Sequence, residues 1–339
     1  MDRDLEKLPA NNDDLLIVAA HFARDISAQC RDVSTMIFPL GHRMPSEQMI
    51  FAAAAKLRLI VKGIEAALTG RDDTVSDKRD SDPESWNLLV QSGFLKESAL
   101  IDFVLARHAE GRLNVALASR AQISVAEQLP AILLSEGDAV IADTAQALLA
   151  SESLLRYSPQ LLYRELLPEY LHLLVWRIVA VLQVIWGDRN ADHIARAKSL
   201  LAAHDESQSG RVAARKLVHF LPTRFAGDAL DPEKAGLAVF VAALSVETTL
   251  EHDHILRLID GYSIAPLAAL LRYSRLDRQQ AMAVICLFKG FDLTPHDITV
   301  FDENYERLDR DMVRAAMADW AAERLKFLTI PADDLSNAR

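Results

Sequence analysis

The feature that most constrains this chain is an apolar stretch, Leu161–Trp186, whose second half is LHLLVWRIVAVLQVIW. Within that half only His172, Arg177 and Gln183 interrupt the apolar residues. The length of the stretch, and its lack of Gly or Pro after Pro168, predict one helix rather than a strand. Because the helix is apolar nearly all round, it has to be surrounded by other elements or by lipid.

Polar side chains within the stretch favour protein as the surroundings. A membrane span needs about 20 predominantly apolar residues, and Glu169, His172 and Arg177 would lie inside such a window. We therefore expect the central buried helix of a soluble helical domain. Arg177 would then pair with a carboxylate or with helix-end carbonyls, or reach water over a buried stem.

The composition indicates an all-α fold. The 339 residues are 50% hydrophobic but only 6% aromatic, so Leu, Ala, Val and Ile have to do the packing. Only 12 Gly and 12 Pro are present, and a many-turned β protein would need more of both. A chain of this length is long for one core, which predicts two or more packed units.

Charge and cysteine content exclude several function classes. The formal net charge of -11 disfavours nucleic acid as a partner, because cationic patches drive that binding. Cys30 and Cys286 belong to no CxxC pair, so neither a disulfide framework nor a cysteine-rich zinc site is expected. The first residues, MDRDLEKLPANNDD, are acidic and polar, unlike a signal peptide, so we expect a cytoplasmic location.

Two periodic segments near the start predict an antiparallel helical hairpin. The first helix begins near Asp13, with Asn12 or Asp13 as its cap, and ends at the Phe38–Gly41 turn. The second begins at Pro45-Ser46 and has the strictest spacing in the chain, 4,3,4,3,4, through Ile50, Ala54, Leu57, Val61, Ile64 and Leu68. Two helices alone cannot bury both apolar seams, so the hairpin either docks on the rest of the chain or pairs with a second copy.

A charged segment after the hairpin favours the second alternative, a homodimer. Residues 69–85, TGRDDTVSDKRDSDPES, have no apolar periodicity and predict a linker. The expected organisation is a flexible tail (1–12), a hairpin (13–68), a linker (69–85), a helical-repeat domain (86–330) and a second tail (331–339). The residues predicted for self-association are Leu15, Phe22, Ile26, Ile50, Leu57, Val61, Ile64 and Leu68.

After Trp86 the pattern is one of short helices at short intervals. Ser124 followed by Glu127 matches a capping box, and glycines punctuate the boundaries. The predicted segments are Glu97–Ala109, Arg112–Ser119, Val125–Ser135 and Asp138–Ser151. Successive short helices with Leu and Ala faces are typical of stacked helical-repeat layers, although no firm period emerges.

Two stretches resemble a known family. They are RHAEGRLNVALASRAQISVAEQLPAILLSEGDAVIADTAQALL and, later, LAALLRYSRLDRQQAMAVICLF. They are similar to a HEAT-like helical-repeat family of alphaproteobacteria, domain of unknown function 2336, over about residues 95–295. The pattern comprises an Ala-Leu-Ala-x-Arg helix end at Ala116, an Ile-Ser step at Ile123 and a Glu-Gly-Asp turn at Glu136. The resemblance implies an α-solenoid-like repeat domain and no known chemistry.

Few residues suggest chemistry. Glu247, Glu251 and His254 have the i, i+4, i+7 spacing of one helix face, which metal ligands also use. No HExxH motif surrounds them, so we expect a solvated polar face and no metal or other cofactor. No GxSxG, P-loop or GxGxxG pattern occurs either, and we expect no catalytic residue.

The resulting hypothesis is a non-enzymatic, cytoplasmic interaction or regulatory scaffold. It would form a homodimer and bind an unidentified protein partner, but neither nucleic acid nor a membrane. One alternative is a sensory or phosphorelay component, because His21 lies on a hairpin helix; however, Phe22 stands where phosphoacceptor domains have an acidic residue. The third alternative is an enzyme or a metal-binding helical protein.

Overall fold

A computed structural model describes Leu16 and residues 19–24, 47–70, 82–187, 192–261, 263–290 and 293–329. Every regular element in these residues is helical, which confirms the predicted all-α fold. The first helices are α1 (Glu47–Thr69), α2 (Trp86–Gln91), α3 (Ser98–Arg120), α4 (Leu129–Leu133), α5 (Ala139–Tyr157), α6 (Pro168–Trp186), α7 (Asp192–Ala202) and α8 (Gly210–Phe220). The others are α9 (Pro232–Ala235), α10 (Leu237–Thr248), α11 (His252–Asp260), α12 (Ala265–Tyr273), α13 (Arg278–Lys289), α14 (Pro295–Asn304) and α15 (Arg310–Thr329).

Local capping fixes several helix starts where the sequence predicts them. The backbone N–H and the hydroxyl of Ser124 each donate to Glu127 over 2.8 Å, as the capping-box pattern predicts. Asp138 accepts from the N–H of Val140 at 2.9 Å and so begins α5. These caps satisfy helix-end donors that would otherwise lack partners.

The first hydrophobic core lies between α1, α2, the N-terminal half of α3, the 3-10 turn Pro159–Glu165, α6 and α7. Gly63 of α1 permits a close approach of that turn, since a Cβ at this position would lie 2.0 Å from the carbonyl oxygen of Gln160. The backbone contact is close only because residue 63 has no side chain.

The second core lies between the C-terminal half of α3, α4, α5 and the helices α8 to α15, with Leu16, Ala19 and Ala23 packed into it. Ile101 and Val104 of α3 belong to the first core, whereas Leu113 and Leu117 belong to the second. The α3 helix therefore connects the two cores and passes through Gly111 without a break, where two separate helices were predicted.

The prediction that Leu161–Trp186 forms one central buried helix is wrong. Its start is the 3-10 turn, α6 begins only at Pro168, and Val184 is 77% exposed. An apolar surface does not have to be buried on every side, because more than half of a protein's accessible surface is apolar. Among the described helices α6 is long and apolar enough to cross a membrane, yet one of its faces packs in the first core.

Arg177 of α6 has the partners that the sequence predicts. One guanidinium nitrogen donates to Glu97 over 2.8 Å, and another donates to the carbonyl of Phe94. The same guanidinium lies 5.4 Å from the centroid of the Phe94 ring. A polar side chain on an apolar helix is thereby satisfied at the edge of the core.

The charged segment 69–85 does not separate the two cores. Helix α1 precedes it but shares the first core with α3 and α6. At the end of the segment, the N–H groups of Glu84 and Ser85 donate to the Glu65 carboxylate at 2.9 and 3.0 Å. Helix α1, the predicted second helix of the hairpin, therefore packs against the rest of its own chain. Docking on the rest of the chain is the first of the two alternatives that the sequence allows.

Candidate functional site

Three charged side chains, one each from α3, α8 and α11, meet at one point in the interior. Asp253 of α11 accepts from Arg107 of α3 through one carboxylate oxygen and from Arg211 of α8, at 3.0 Å, through the other. Both guanidinium groups lie against the ring of Phe103, each 5.5 Å from its centroid. One carboxylate thus joins α3, α8 and α11.

These groups stay charged in the interior. The side chain of Arg107 is 4% exposed and that of Asp253 is 10% exposed. Burial alone would raise the pKa of Asp253, but Arg107 and Arg211 outweigh it and hold that pKa well below its usual range. Burial would likewise lower the pKa of Arg107, but Glu110 and Asp253 together raise it.

A second set of charges extends the cluster to the last helix. Arg324 of α15 lies 2.7 Å from Asp102 of α3 and donates to Glu251 at 2.8 Å. Arg257 of α11 lies 4.0 Å from the other oxygen of Asp102. We call the whole set the buried ion network: Asp102, Arg107, Glu110, Glu165, Arg211, Glu251, Asp253, Arg257 and Arg324.

Glu165 connects the network to a cavity of about 450 Å³. Its Oε1 accepts from the N–H of Gly210 at 2.9 Å and from the hydroxyl of Ser151 at 3.2 Å, and Arg211 lies 3.7 Å from its Oε2. A nucleophilic serine needs an adjacent base that is free to take its proton. This carboxylate is already compensated by Arg211, so the arrangement suits a structural bond better than catalysis.

Two histidines of α11 flank Asp253 and stay neutral. Burial lowers the pKa of His252 to about 3, and Arg107 acts in the same direction. Burial also lowers the pKa of His254 well below 6.5, helped by Arg324 and Arg257. The folded chain therefore resists proton uptake that the unfolded chain allows.

This difference predicts that the free energy of unfolding falls as the pH drops from 7 to 5. Because the folded-state pKa lies below the unfolded value of 6.5, only the unfolded chain takes up a proton as the pH falls below 6.5, and the free energy of unfolding falls with it. A histidine that stays neutral costs about 2 kcal/mol at pH 5. Urea unfolding of His254→Gln should show a flatter pH dependence than the native chain. His219 is exposed, so His219→Gln should keep the pH dependence of the native chain. Equal pH dependence of the free energy of unfolding in the native chain and both variants would contradict the prediction.

Every carboxylate of the network faces at least one arginine within the described residues. The network therefore supplies its own counter-charges and acts as an internal brace between α3, α8, α11 and α15. Removing the charge of a deeply buried member such as Asp253 would leave the arginines that it joins with less compensation in the interior. A surface for other molecules has to be sought elsewhere.

The outer surface of α6 is the clearest candidate. Leu173, Trp176, Ala180 and Val184 follow one another at spacings of 3, 4 and 4, which places them on one side of the helix. Trp176 lies at the edge of this side and also packs against the first core. Leu173, Ala180 and Val184 are exposed, and Trp176 is half-buried with its indole N–H donating to His172 at 3.1 Å. We call these four residues the outer face of α6. They carry no charge.

The chain matches no protein-family model, no curated protein and no solved structure. The resemblance to the alphaproteobacterial helical-repeat family thus stays a prediction. Any function has to be argued from the chain's own residues.

The residues predicted for self-association lie mostly inside the chain's own core. Leu57, Val61, Ile64 and Leu68 are completely buried in the first core, Phe22 is buried, and Ile50 is half-buried. Leu15 and Ile26 lie outside the described residues. The four buried side chains of α1 pack against α3, α6 and the Pro159–Glu165 turn. A dimer seam formed by Leu57, Val61, Ile64 and Leu68 would require them to leave these contacts.

Glu247, Glu251 and His254 do not form the single solvated face that their spacing predicts. Helix α10 ends at Thr248, Thr249 has a left-handed φ of 61°, and α11 begins at His252. Glu247 is exposed, Glu251 binds Arg324, and His254 is buried. Among the described residues no group of three or more His, Cys, Asp or Glu is arranged to hold a metal.

The position of His21 gives the phosphorelay alternative no specific support. The imidazole is exposed and lies edge-on to Phe22, with the ring centroids 6.0 Å apart. Phosphoacceptor hairpins pair with a second hairpin, whereas here α1 is packed within its own chain.

Proposed function

We propose that the chain is a non-enzymatic interaction protein that pairs with a second copy of itself through the outer face of α6. The observation that carries this proposal is an uncharged apolar row on a helix whose opposite side is fixed in the first core. Val184 is 77% exposed, so water is excluded from it only by another molecule. Burying apolar surface is the main driving force for association.

The row is self-complementary under a two-fold axis. If two α6 helices lie antiparallel and cross near Ile178, Leu173 of one copy faces Val184 of the other, and Trp176 faces Ala180. Each pair sets a large side chain against a smaller one, which allows close packing. A two-fold interface uses the same patch on both copies, as this arrangement requires.

Neighbouring elements supply the additional area that a stable dimer needs. A standard interface buries about 800 Å² on each partner, more than one helix of about 28 Å supplies. Phe94, beside Arg177, is 37% exposed, and Ile194 of α7, which packs against α6, is also exposed. Both lie next to the helix that carries the row.

In this proposal the dimer serves as a scaffold for a further protein partner in the cytoplasm. The net charge of -11 supports a protein partner over nucleic acid. The helical layers of the second core would present that surface, as helical-repeat proteins do.

Light scattering of the full chain at tens of micromolar should give the mass of a dimer. Val184→Glu places a charge against the apolar side chain of Leu173 in the other copy, and we expect it to weaken association at least a hundredfold. Because Val184 faces solvent, the variant should keep the native circular-dichroism spectrum and melting temperature.

Two matched controls test the surface itself. Phe51→Glu on α1 and Val115→Glu on α3 replace side chains that are 71% and 70% exposed, and both variants should remain dimeric. A monomeric native chain, or equal loss of the dimer in all three variants, would refute the proposal. So would a monomer that floats with phosphatidylcholine vesicles until Val184→Glu releases it, since lipid would then cover α6.

A further inference from the structure

A cavity of about 600 Å³ opens between the end of α3, the segment Gly227–Glu233, and helices α12 and α13. Its apolar wall includes Leu230, Leu276, Val284 and Leu287. This volume lies within the range of small-molecule sites, which are mostly apolar with a few placed polar groups. The cavity is separate from both the buried ion network and the outer face of α6.

Arg275, at the cavity, has a backbone conformation that normally belongs to glycine. It follows α12 with a φ of 65°. The N–H of Arg275 donates to the carbonyl of Arg272, and the N–H of Leu276 donates to that of Leu271, each at 3.2 Å. These bonds define the helix-ending motif in which glycine is preferred at the left-handed position. An arginine there is unfavourable for the fold, which suggests that its side chain serves another purpose.

The polar groups at this end of the cavity are hydrogen-bond donors. The hydroxyl of Ser274 is buried and has no hydrogen-bond partner among the described residues. The side-chain oxygen of Gln280 accepts from the N–H of Asp277 at 3.1 Å, which leaves its NH2 group as a donor. The Arg275 guanidinium is exposed and makes no hydrogen bond or ion pair with the described residues.

Two acidic residues also line the cavity. Asp231 is already engaged, because its carboxylate accepts from the N–H of Glu233 at 3.1 Å and caps α9. The two acidic residues are Asp231 and Glu233. Arg120 also lines the cavity, carries the opposite charge, and donates to the carbonyl of Leu287. The cavity lining thus carries two arginines and two carboxylates, which balance in formal charge, and Arg275 and Gln280 supply donors at the end where Ser274 lies.

We propose that this cavity binds a small carboxylate with an apolar tail. The carboxylate would accept from Arg275, Ser274 and Gln280, and the tail would lie along Leu230, Val284 and Leu287. A charge-assisted bond to a guanidinium stabilises such a complex more than a neutral one. The proposal does not depend on the dimer.

Cys286 provides a direct readout, because it lines the same cavity and its thiol is free and exposed. The full chain is treated with iodoacetamide, a neutral reagent, in the presence of increasing octanoate. Alkylation at Cys286 is followed by mass spectrometry, with glutathione as the reference thiol. Octanoate should slow alkylation of Cys286 at least fivefold and in a saturable manner, whereas octanol at equal concentration should slow it far less.

Arg275→Gly separates binding from folding. Glycine suits the left-handed position, so the melting temperature should stay equal or rise, while protection should require at least tenfold more octanoate. Arg275→Lys should keep most of the protection. Unchanged protection in Arg275→Gly, equal protection by octanol or by octylamine, or no protection in the native chain would each overturn the proposal.

Discussion

Asp253→Asn should lower the free energy of unfolding by about 3–5 kcal/mol, the usual cost of removing one partner of a buried ion pair. The amide keeps the shape of the side chain but leaves Arg107 and Arg211 without the negative charge between them. The side chains of Arg107 and Arg211 are only 4% and 17% exposed, so water does not take over the role of the lost carboxylate charge. Urea unfolding at pH 7 measures the change.

The matched control is Asp228→Asn, which breaks an ion pair with Lys234 at the surface. That pair spans 2.7 Å, but its side chains are 33% and 51% exposed, so the expected cost is below about 1 kcal/mol. If Asp253→Asn cost no more than Asp228→Asn, the network would not brace the fold. The pH should stay at 7 so that the histidines beside Asp253 do not titrate.

Leu57→Glu should prevent native folding rather than produce a folded monomer. Leu57 has no exposed surface and lies in the first core, so the change removes a packed leucine and adds a buried carboxylate. Together these effects cost about 4 kcal/mol or more. That loss is comparable with the whole stability of many domains. Thermal unfolding followed by circular dichroism measures it.

Phe51→Glu on the same helix is the control, because Phe51 is 71% exposed and its replacement should change the melting temperature little. The pair of variants also separates the two roles that the sequence allows for α1. A folded, monomeric Leu57→Glu chain derived from a native dimer would mean that α1 forms a seam between copies, contrary to its packing here.

Local patterns in the sequence were sufficient to predict the all-α fold and some of the helix starts, but not that α3 continues through Gly111. The 4,3,4 spacing around Leu57 and Val61 correctly predicts which side of α1 is buried, and Ser124 with Glu127 predicts a cap. Spacing defines a face, however, and does not specify what covers it. The choice between the chain's own helices and a second copy depends on tertiary packing, which one helix does not encode.

The buried ion network was not predictable from the sequence. Arg107 and Asp253 are 146 residues apart, and neither belongs to a motif. The apparent row Glu247, Glu251 and His254 failed because Thr249 ends α10 in a left-handed turn, for which its β-branched side chain gives no signal. The outer face of α6 could have been found, since the 3, 4, 4 spacing of Leu173 to Val184 is visible in the apolar run.

Disulfide formation between two singly substituted chains tests the antiparallel α6 pairing most directly. Leu173→Cys and Val184→Cys are made separately in a Cys30→Ser, Cys286→Ser background, mixed, and oxidised under mild conditions. The proposed two-fold arrangement places residue 173 of one copy opposite residue 184 of the other, so the mixed disulfide should form faster and in higher yield than either homodimer. No disulfide-linked dimer, or homodimers in equal or greater yield than the mixed species, would contradict it.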